Sequence, residues 1–558
     1  MIGILPVAST LSETTRIHMS KEEQLLSSFP ARNAVPESMT LPGPKEYPHY
    51  LINGEILTWK GEMQDIYSPI ETHENGKYES TLIGRCPVLD EEAGRQAVQA
   101  AFDAYDNGMG RWPTMSVADR IRQVEEFAER MSKTRDEVVR LMVWEICKSV
   151  KDSENEFDRT MDYIRDTIDA LKDLDRASSR FVIEKGIYAQ IRRAPLGPVL
   201  CMGPFNYPLN ETFATLIPAL IMGNPVVMKS PRLGKLLLSP LVEAFRESFP
   251  KGVVNVLFGD RRIIKPIIES GKINVLAFIG TSGAADAMRV SHPHPHRLRC
   301  VLGLDAKNPA IVLDSADMSL TAEELITGSL SFNGQRCTAI KIIFVHKSKV
   351  DELLDRMSGI IDALRVGMPF DDGVKITPLP VPGKIKYLQE LVEDAHAHGA
   401  EMINPGGGAS AKSLYFPALL YPVNPQMRAY HEEQFGPVIP VVPFDDESTP
   451  VNYLVNSQYG QQMSLFGSDP SQMAQFIDPM VNQVCRVNIN SQCQRGPDVF
   501  PFAGRKDSAE GTLSVSDALR CFSIRTLVAA KGSTANKELL TQIIQKRRSN
   551  FLSTDFIL

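Results

Sequence analysis

One cysteine lies in a segment whose neighbours could make its thiol reactive, Gly334-Gln335-Arg336-Cys337-Thr338. The adjacent Arg336 cation and oriented backbone N–H groups would favour the thiolate over the thiol. A thiolate can add to an aldehyde carbonyl and form a covalent intermediate. A lone cysteine is also often a small buried apolar residue, and the residues alone give the two interpretations of Cys337 equal weight.

A second segment could supply the group that stabilises such an intermediate. Asn206 lies in Gly-Pro-Phe-Asn-Tyr-Pro, residues 203–208, directly after a predicted strand at 198–202. Ligands of open α/β sheets lie at the carboxyl ends of strands, and an Asn side chain there can donate an N–H to an oxyanion. An Asn between aromatic residues and prolines is, however, more often a turn residue.

Two further segments contain residue types that suit a dinucleotide. Lys229, Ser230 and Arg232 follow one predicted strand and offer cations to an adenosine phosphate. Gly280 and Thr281 follow another strand and open a helix, whose N–H groups can face a pyrophosphate. The ordinary G-x-G-x-x-G fingerprint is absent, and Gly-Thr-Ser-Gly by itself is usually a turn.

Rigid elements must position these segments, and the hydrophobic pattern predicts an α/β fold. Residues 90–175 have helical periodicity, and residues 181–193 alternate around Lys-Gly as a β-hairpin does. From residue 198 short β runs alternate with helical stretches, which predicts right-handed crossovers and parallel sheets. Two successive sheets fit the length, one near 198–303 and one near 306–500.

The composition limits the class of protein. The chain has 558 residues, of which 43% are hydrophobic, and a net charge of −7 with acidic and basic residues interspersed. This balance is typical of a soluble globular protein without a nucleic-acid or membrane footprint. The apolar runs are too short to span a bilayer, and the first residues lack the features of a signal peptide. The eight scattered cysteines indicate reduced thiols, so we expect a cytoplasmic location.

Alternating histidines occur at His292, His294 and His296. Pro293 and Pro295 separate them, and no carboxylate or cysteine lies close by in the sequence. A rigid surface connector explains this segment better than a metal site, and no metal is expected.

Taken together, these segments resemble the aldehyde dehydrogenase superfamily, over about residues 47–530. Residues 431–437 are similar to the family's Glu-Glu-x-Phe-Gly-Pro element. The resemblance implies that Cys337 is the nucleophile and Asn206 the oxyanion donor. It assigns the other matched residues to the cofactor, with Lys229 at the adenosine ribose, Gly280 and Thr281 at the pyrophosphate, Glu433 at the nicotinamide ribose and Phe435 at the nicotinamide ring.

The same resemblance implies two parallel-sheet domains, cofactor and catalytic, plus a small β arm for oligomerisation. The expected parts are a flexible N-terminal arm (1–45), a nucleotide-binding domain (46–177 and 198–305), a catalytic domain (306–508), an oligomerisation arm (178–197 and 509–530) and a C-terminal tail (531–558). Residues 519–529 alternate loosely, as a strand that pairs at a sheet edge could. A homo-oligomer, either dimer or tetramer, is therefore expected.

Within the superfamily the chain most resembles the non-phosphorylating glyceraldehyde-3-phosphate dehydrogenases. The indicators are residues 332–341, 493–498 and 157–165. In that subfamily the substrate phosphate is held by residues that correspond here to Arg159, Tyr207, Arg336 and Arg495. Guanidinium forks and a Tyr hydroxyl suit phosphate oxygens. Arg159, however, lies off the apolar stripe of its helix, where an Arg is usually solvated.

The reaction that this resemblance implies is oxidation of D-glyceraldehyde 3-phosphate to 3-phosphoglycerate through a cysteine thioester. Many NAD-using relatives carry a Glu where this chain has Arg232, and that Glu accepts from the ribose 2′-hydroxyl. A carboxylate repels a 2′-phosphate and a cation attracts it, so we expect NADP as the cofactor, with NAD as the alternative.

One position departs from the family. The Glu-Leu-Gly-Gly-Lys element falls on residues 303–307, and Gly303 replaces the Glu that activates the hydrolytic water. A glycine has no side-chain base. By position, the candidates for a replacement base are Asp305 and Glu211, which follows Asn206 by five residues. If Asp305 lay on a strand, it would point to the same face as Gly303.

The missing base leaves two other functions open. A CoA-acylating or broad semialdehyde dehydrogenase needs no such base, because a thiol accepts the acyl group. A non-catalytic nucleotide-binding scaffold is the alternative from another class of protein, and the presence of Cys337, Asn206 and Glu433 argues against it.

Overall fold

The computed structural model describes residues 19–41 and 43–555. The first 18 residues of the expected N-terminal arm lie outside the described residues. The helices are α1 (Lys21–Ser27), α2 (Glu91–Tyr105), α3 (Arg111–Thr114), α4 (Val117–Ser132), α5 (Arg135–Ile146), α6 (Val150–Ser178), α7 (Asn210–Ile221), α8 (Val242–Ser248), α9 (Ile264–Glu269), α10 (Ser282–Ser291), α11 (Met318–Leu330), α12 (Val350–Asp362), α13 (Lys384–Ala397), α14 (Arg428–His431), α15 (Ser448–Asn456), α16 (Pro470–Met480), α17 (Val515–Cys521) and α18 (Thr534–Gln545).

The strands form several sheets, two of them large. They are β1 (Lys45–Glu46), β2 (His49–Ile52), β3 (Glu55–Thr58), β4 (Met63–Glu74), β5 (Lys77–Pro87), β6 (Phe181–Glu184), β7 (Ile187–Pro195), β8 (Val199–Met202), β9 (Val226–Lys229), β10 (Val254–Leu257), β11 (Val275–Ile279), β12 (Arg299–Gly303), β13 (Asn308–Val312), β14 (Ile340–His346), β15 (Glu401–Met402), β16 (Ser410–Ala411), β17 (Leu414–Tyr415), β18 (Ala418–Tyr421), β19 (Val438–Phe444), β20 (Tyr459–Gly460), β21 (Gln462–Phe466), β22 (Arg486–Ile489), β23 (Arg505–Lys506), β24 (Ala509–Glu510) and β25 (Ser523–Lys531).

The first large sheet has eight strands in the order β24-β12-β11-β8-β9-β10-β2-β3. Its central five strands are parallel, while β2 and β24 pair antiparallel at its two sides. Every residue of β8, β9 and β10 is buried, as expected for parallel strands covered by helices on both faces. The loops that follow β8, β9 and β11 contain Asn206, Ser230 and Gly280 at one edge of this sheet.

The second large sheet has seven strands in the order β15-β18-β19-β14-β13-β21-β22, all parallel except β15. The loop that enters β14 contains Cys337. The predicted α/β fold with two successive parallel sheets is therefore confirmed. The predicted apolar stripe of α6 is also confirmed, since Phe157, Met161, Ile164 and Ile168 are all buried.

A separate three-stranded sheet contains the predicted hairpin. Strands β6 and β7 pair antiparallel, and β25 pairs with the other edge of β7 along nine residues. The predicted strand at 519–529 begins later than expected, at Ser523. The preceding residues form α17, whose first turn is capped by the Ser514 hydroxyl.

The expectation of a flexible arm over residues 1–45 is wrong for the part that the structure describes. Helix α1 begins with a capping box, in which Ser20 and Glu23 each accept from the other's backbone N–H. Leu25 and Phe29 are buried in the main hydrophobic core. The Ser-x-x-Glu spacing marks this helix, but its short length hid it among the prolines.

The C-terminal segment is peripheral over α18, which buries none of its residues. Beyond it, the Ser553 and Phe551 carbonyl oxygens accept from Gln190 and Arg192 of β7. Within residues 19–41 and 43–555, no helix is both long and apolar enough to cross a bilayer.

Candidate active site

Cys337 lies in the loop between α11 and β14, whose shape depends on unusual backbone conformations. Phe332, Asn333 and Gly334 have φ values of 49°, 57° and 70°, in the left-handed region that favours glycine. A Cβ at Gly334 would come within 2.7 Å of the Ser329 carbonyl oxygen, so only glycine fits there. This tight turn determines where the chain emerges before Cys337.

Two side chains hold the backbone of the nucleophile. Asn308 Nδ2 donates to the Cys337 carbonyl oxygen at 2.8 Å, and Lys341 Nζ donates to the same oxygen at 3.2 Å. In the part of the chain that the structure describes, the Cys337 N–H donates to no backbone oxygen. It is therefore available to a developing oxyanion, next to a thiol that is itself half-buried.

Asn206, the predicted oxyanion donor, lies against this loop. Its Nδ2 donates to the Gln335 carbonyl oxygen at 2.8 Å, and the residue is buried. Because Nδ2 carries two hydrogens, this contact leaves one of them for an oxyanion. The structure thus places Asn206 in contact with Gln335, which precedes Cys337 by two residues in the nucleophile loop.

A buried ion pair holds the segment that contains Asn206. The Lys148 ammonium pairs with Glu156 and donates to the Asn206 carbonyl oxygen at 2.8 Å. The other Glu156 oxygen accepts from the backbone N–H groups of Leu209 and Asn210 at 3.0 and 3.1 Å. Removing both charges from water offsets much of their attraction, so the pair fixes geometry more than it adds stability.

The charged groups around the thiol have opposing effects on its pKa. Burial raises the pKa of the Cys337 thiol and the Glu211 carboxylate raises it further, whereas Lys341 and Arg495 lower it. The net effect is a raised pKa, so the resting residue is a thiol and not a thiolate at neutral pH. A bound substrate or cofactor, or proton transfer, must accompany its activation.

Two of the predicted phosphate ligands pair with carboxylates of the protein. Arg159 donates from Nε and Nη2 to both oxygens of Asp498, each at 2.7 Å. Arg495 lies 3.2 Å from the same Asp498 and also pairs with Glu211. The solvated position expected for an Arg off the apolar stripe is therefore wrong for Arg159, because Asp498 reaches it from a distant part of the chain.

Arg495 is the most deeply buried of these arginines, with 5% of its side chain exposed. Its Nη2 donates to the Leu513 carbonyl oxygen at 3.3 Å. Its Nη1 pairs with Glu211 and its Nε lies 3.2 Å from Asp498 Oδ1, so both of these N–H groups face carboxylates. The Arg495 cation is therefore buried and held by two carboxylates, and an anionic ligand that enters would compete with them for its N–H groups.

The other two predicted phosphate ligands have different partners. Arg336 Nη2 donates to the Thr338 hydroxyl at 3.1 Å and to the Cys493 carbonyl oxygen at 3.2 Å. The Tyr207 ring centroid lies 3.4 Å from Lys148 Nζ. Among the described residues, no hydrogen bond joins either of them to Arg159 or Arg495. Lys341 and Arg495 are the cations with the largest lowering effect on the pKa of the Cys337 thiol, and activation of the thiol by Arg336 stays a prediction.

The predicted adenosine end lies after β9. Burial and the neighbouring Lys235 lower the pKa of Lys229 to about 8. The Ser230 hydroxyl is buried and has no hydrogen-bond partner among the described residues, while Arg232 is exposed. A buried amine, an unfilled hydroxyl and an exposed guanidinium fit a ribose that carries a phosphate.

Gly280 and Thr281 connect β11 to α10, as predicted for a pyrophosphate site. The first N–H of α10 is already used, because Asp305 Oδ2 accepts from the Ser282 backbone N–H and hydroxyl, both at 2.8 Å. Strand β12 ends at Gly303, so Asp305 is not on a strand and the condition for a shared face is not met. Asp305 is therefore a helix-capping residue and fits the role of base poorly.

Gly303 leaves room where the family carries a side chain. A Cβ built there would meet Ile279 atoms at 3.4 and 3.5 Å and Leu513 at 3.8 Å, which are ordinary contact distances. Packing next to Gly303 therefore does not require glycine. The missing carboxylate is a feature of this chain and not a consequence of crowding.

The predicted nicotinamide residues adjoin the nucleophile. Glu433 pairs with Lys341, the same lysine that holds the Cys337 carbonyl oxygen. Burial raises the pKa of Glu433, and Lys341 opposes that shift. The Phe435 ring lies edge-on to Phe205 at 5.8 Å.

Several residues of the site were not predicted as functional. Lys341 and Asp498 lie inside the motifs that indicate the subfamily, where a role for them could have been considered. No sequence pattern marks Lys148 and Glu156, because one precedes α6 and the other lies within it. Only the fold reveals that they meet beneath Asn206.

The histidine segment was predicted in part wrongly. His292 is buried, with Nε2 at 3.1 Å from the Ile273 carbonyl oxygen, and does not lie on the surface. Among the residues with described positions, no group of three or more His, Cys, Asp or Glu side chains is arranged to hold a metal.

Comparison with known proteins agrees with this geometry. Residues 69–528 match the model of the aldehyde dehydrogenase family. The NADP-dependent glyceraldehyde-3-phosphate dehydrogenase of Streptococcus equinus is 30% identical over 502 residues, which cover 88% of this chain and 98% of that protein. The enzyme of the same name from Pisum sativum is 29% identical over 435 residues, which cover 76% and 86%.

A solved structure shows the same fold. The crystal structure of NADP-dependent glyceraldehyde-3-phosphate dehydrogenase from Bacillus halodurans, complexed with NADP, has a TM-score of 0.78 and 31% identity. It covers 87% of this chain and 99% of its own. The chain therefore belongs to the aldehyde dehydrogenase family and is an oxidoreductase that acts on aldehydes.

Proposed function

We propose that this enzyme oxidises D-glyceraldehyde 3-phosphate to 3-phosphoglycerate with NADP. The observation that carries the proposal is Arg495, a buried guanidinium whose charge lowers the pKa of the Cys337 thiol. It is joined to Arg159 through Asp498. Relatives named for this reaction are about 30% identical, which supports the same substrate class.

The residues of the site suit the chemistry of a thioester. Cys337 Sγ adds to the aldehyde carbonyl, and the resulting oxyanion accepts from Asn206 Nδ2 and the Cys337 N–H. Bound NADP supplies the acceptor for the hydride that leaves the former aldehyde carbon. Lys229, Ser230 and Arg232 are the residues proposed to hold its adenosine end. Glu433, Phe435, Gly280 and Thr281 are proposed to hold the remainder.

A panel of aldehydes with NADP and NAD tests this function. Glyceraldehyde 3-phosphate with NADP is expected to give a kcat/KM at least tenfold above that of glyceraldehyde, which lacks the phosphate. Equal kcat/KM for the two aldehydes would reject the phosphate assignment. An absence of NADPH production with every aldehyde in the panel would favour the non-catalytic scaffold.

The CoA-acylating or semialdehyde function is a second candidate, and Gly303 is the observation that favours it. Without the usual carboxylate, a thiol could take the acyl group in place of water. Turnover that requires added CoA and releases an acyl-CoA would establish this alternative. Turnover without CoA, with 3-phosphoglycerate as product, would exclude it.

We also propose that the enzyme forms a homo-oligomer through the sheet of β6, β7 and β25. Val182 and Leu527 are 49% and 57% exposed on one face of this sheet, and Ile183 is 66% exposed on the other face. Light scattering of the purified protein distinguishes dimer from tetramer. Replacing Ile183 and Leu527 by Lys should lower the mass of the oligomer in solution, and an unchanged mass would exclude this sheet as the interface.

The protein is proposed to work in the cytoplasm, and localisation of a tagged copy in cells tests this proposal.

A further inference from the structure

We propose that Glu211 is the base that activates the hydrolytic water. Arg495 holds the Glu211 carboxylate in an ion pair until the anionic end of the substrate binds the guanidinium in its place. This inference rests on the proposed aldehyde oxidation and deepens it. It names the group that replaces the missing carboxylate and couples hydrolysis to the substrate's charge.

The position of Glu211 supports this role. It lies in the first turn of α7, and its N–H donates to the Tyr207 carbonyl oxygen at 3.1 Å. The residue before Tyr207 is Asn206, which contacts the nucleophile loop at Gln335. Glu211 is buried, and of the charged groups near Cys337 its carboxylate has the largest effect on the pKa of the thiol.

The other nearby carboxylates are engaged. Asp305 caps α10 through Ser282, and Glu433 pairs with Lys341. Asp498 is held by paired hydrogen bonds from Arg159. Glu211 has Arg495 as its ionic partner, and that guanidinium is shared with Asp498.

The shared guanidinium provides the coupling. Arg495 lies between two carboxylates, with Nη1 paired to Glu211 and Nε 3.2 Å from Asp498 Oδ1. A phosphate offers more charge and better-placed oxygens than one carboxylate does. When phosphate oxygens take these donors, Glu211 loses its ionic partner and its carboxylate is free to accept a proton from water.

The hydrolytic step balances without any further reactant. The oxygen of water bonds to the thioester carbon while one of its protons passes to the Glu211 carboxylate. The tetrahedral oxyanion, stabilised by Asn206 and the Cys337 N–H, collapses and breaks the C–S bond. The sulfur leaves as the Cys337 thiolate, the product leaves as a carboxylic acid, and Glu211 returns its proton to solvent.

The first test is Glu211→Gln, with Glu352→Gln, which changes an exposed carboxylate of α12, as the matched control. With glyceraldehyde 3-phosphate, Glu211→Gln should release about one NADPH per site in a burst and then turn over at least a hundredfold more slowly, since a general base contributes on the order of 10²–10⁴-fold. Hydroxylamine, which attacks the thioester without a base, should restore turnover and yield a hydroxamate. Glu352→Gln should turn over within about threefold of the parent, as a surface substitution usually does.

The second test separates the coupling from the base. With glyceraldehyde as substrate, added inorganic phosphite should raise the steady-state rate of the parent at least tenfold, and should not raise that of Glu211→Gln. No activation of the parent would reject the coupling.

Several outcomes would overturn the assignment of Glu211. Parent-like turnover in Glu211→Gln would do so directly. If burst and turnover were both lost and Glu211→Asp were equally inactive, Glu211 would act on the thiol and not on the water. One further outcome concerns the substrate and not the base. If Glu211→Gln shows the expected loss of deacylation but the parent does not prefer phosphorylated aldehyde, the proposed substrate is rejected and Glu211 remains the base.

Discussion

Lys341 connects the nucleophile to Glu433, because its ammonium donates to the Cys337 carbonyl oxygen and pairs with the Glu433 carboxylate. Lys341 is 1% exposed, and the Glu433 side chain is 13% exposed. One side chain therefore fixes the thiol loop and the residue proposed for the nicotinamide ribose. A shift of the Cys337 loop would therefore also displace Glu433, and a shift of Glu433 would displace the loop.

Lys341→Met should therefore damage both stability and cofactor binding. It leaves Glu433 as a buried charge without a partner, which typically costs about 3–5 kcal/mol of unfolding free energy. We also expect kcat to fall at least tenfold and the KM for NADP to rise. Urea unfolding and steady-state kinetics measure these effects.

The control for this prediction is Lys347→Met, which breaks an exposed pair with Asp445 and should change neither property. The double variant Lys341→Met/Glu433→Gln should recover part of the lost stability. If Lys341→Met unfolds like the parent, the pair does not have the role assigned to it.

The pH dependence of thiol alkylation should follow the charges around Cys337. Its pKa is raised by burial first and then by Glu211, so less thiolate exists at neutral pH than for a free cysteine. Iodoacetamide should react slowly at pH 7.5, and faster as the pH rises beyond the ordinary thiol range. Glu211→Gln should shift the profile to lower pH and Lys341→Met to higher pH. Mass spectrometry of the Cys337 peptide measures the rates, and shifts in the opposite directions would contradict the electrostatic picture.

Arg232→Glu should move the cofactor preference towards NAD. The exposed guanidinium is proposed to attract a 2′-phosphate, whereas a carboxylate repels it and accepts from a 2′-hydroxyl. The ratio of kcat/KM for NADP over NAD should fall at least tenfold. Arg356→Glu, on the surface of α12, is the control and should leave the ratio unchanged. An equal ratio in the parent and Arg232→Glu would exclude Arg232 from the adenosine site.

Arg159→Leu should impair phosphorylated aldehyde selectively. Loss of one charge-assisted contact should cost about 1.5–3 kcal/mol of transition-state binding, or about ten- to a hundredfold in kcat/KM. The loss should affect glyceraldehyde 3-phosphate and spare propanal. Arg495→Lys is the companion variant, since it keeps a charge beside Glu211 and Asp498 but removes the fork. Equal losses with the two aldehydes would make these arginines structural.

The sequence predicted the two sheets well because their strands are short apolar runs separated by helical stretches. It placed Cys337 and Asn206 in separate loops, and only a family resemblance could suggest that the two loops meet. Helix α1 was missed although its Ser-x-x-Glu spacing marks it, because it is short and its burial depends on contacts with residues far along the chain. Such contacts leave no local pattern.

The charges of the site were the hardest part to predict. Arg159 follows the rule for a solvated residue until Asp498 is brought to it by the fold. Asp305 was a candidate base because it lies two residues after Gly303 in the sequence. In the structure its carboxylate instead accepts from the Ser282 N–H at the start of α10. A carboxylate's partners decide its chemistry, and those partners lie in other segments.

Strand β24 pairs with β12 at one side of the first large sheet, and β25 pairs with β7, although both follow every strand of the second large sheet in the sequence. During synthesis, β12 and β7 must therefore each keep one edge unpaired until the second large sheet has been synthesised. An unpaired edge of this kind can capture a strand from another chain. Truncations upstream of β24 should thus yield aggregates and not a smaller working enzyme, and the rate of refolding should be limited by the return of these two strands.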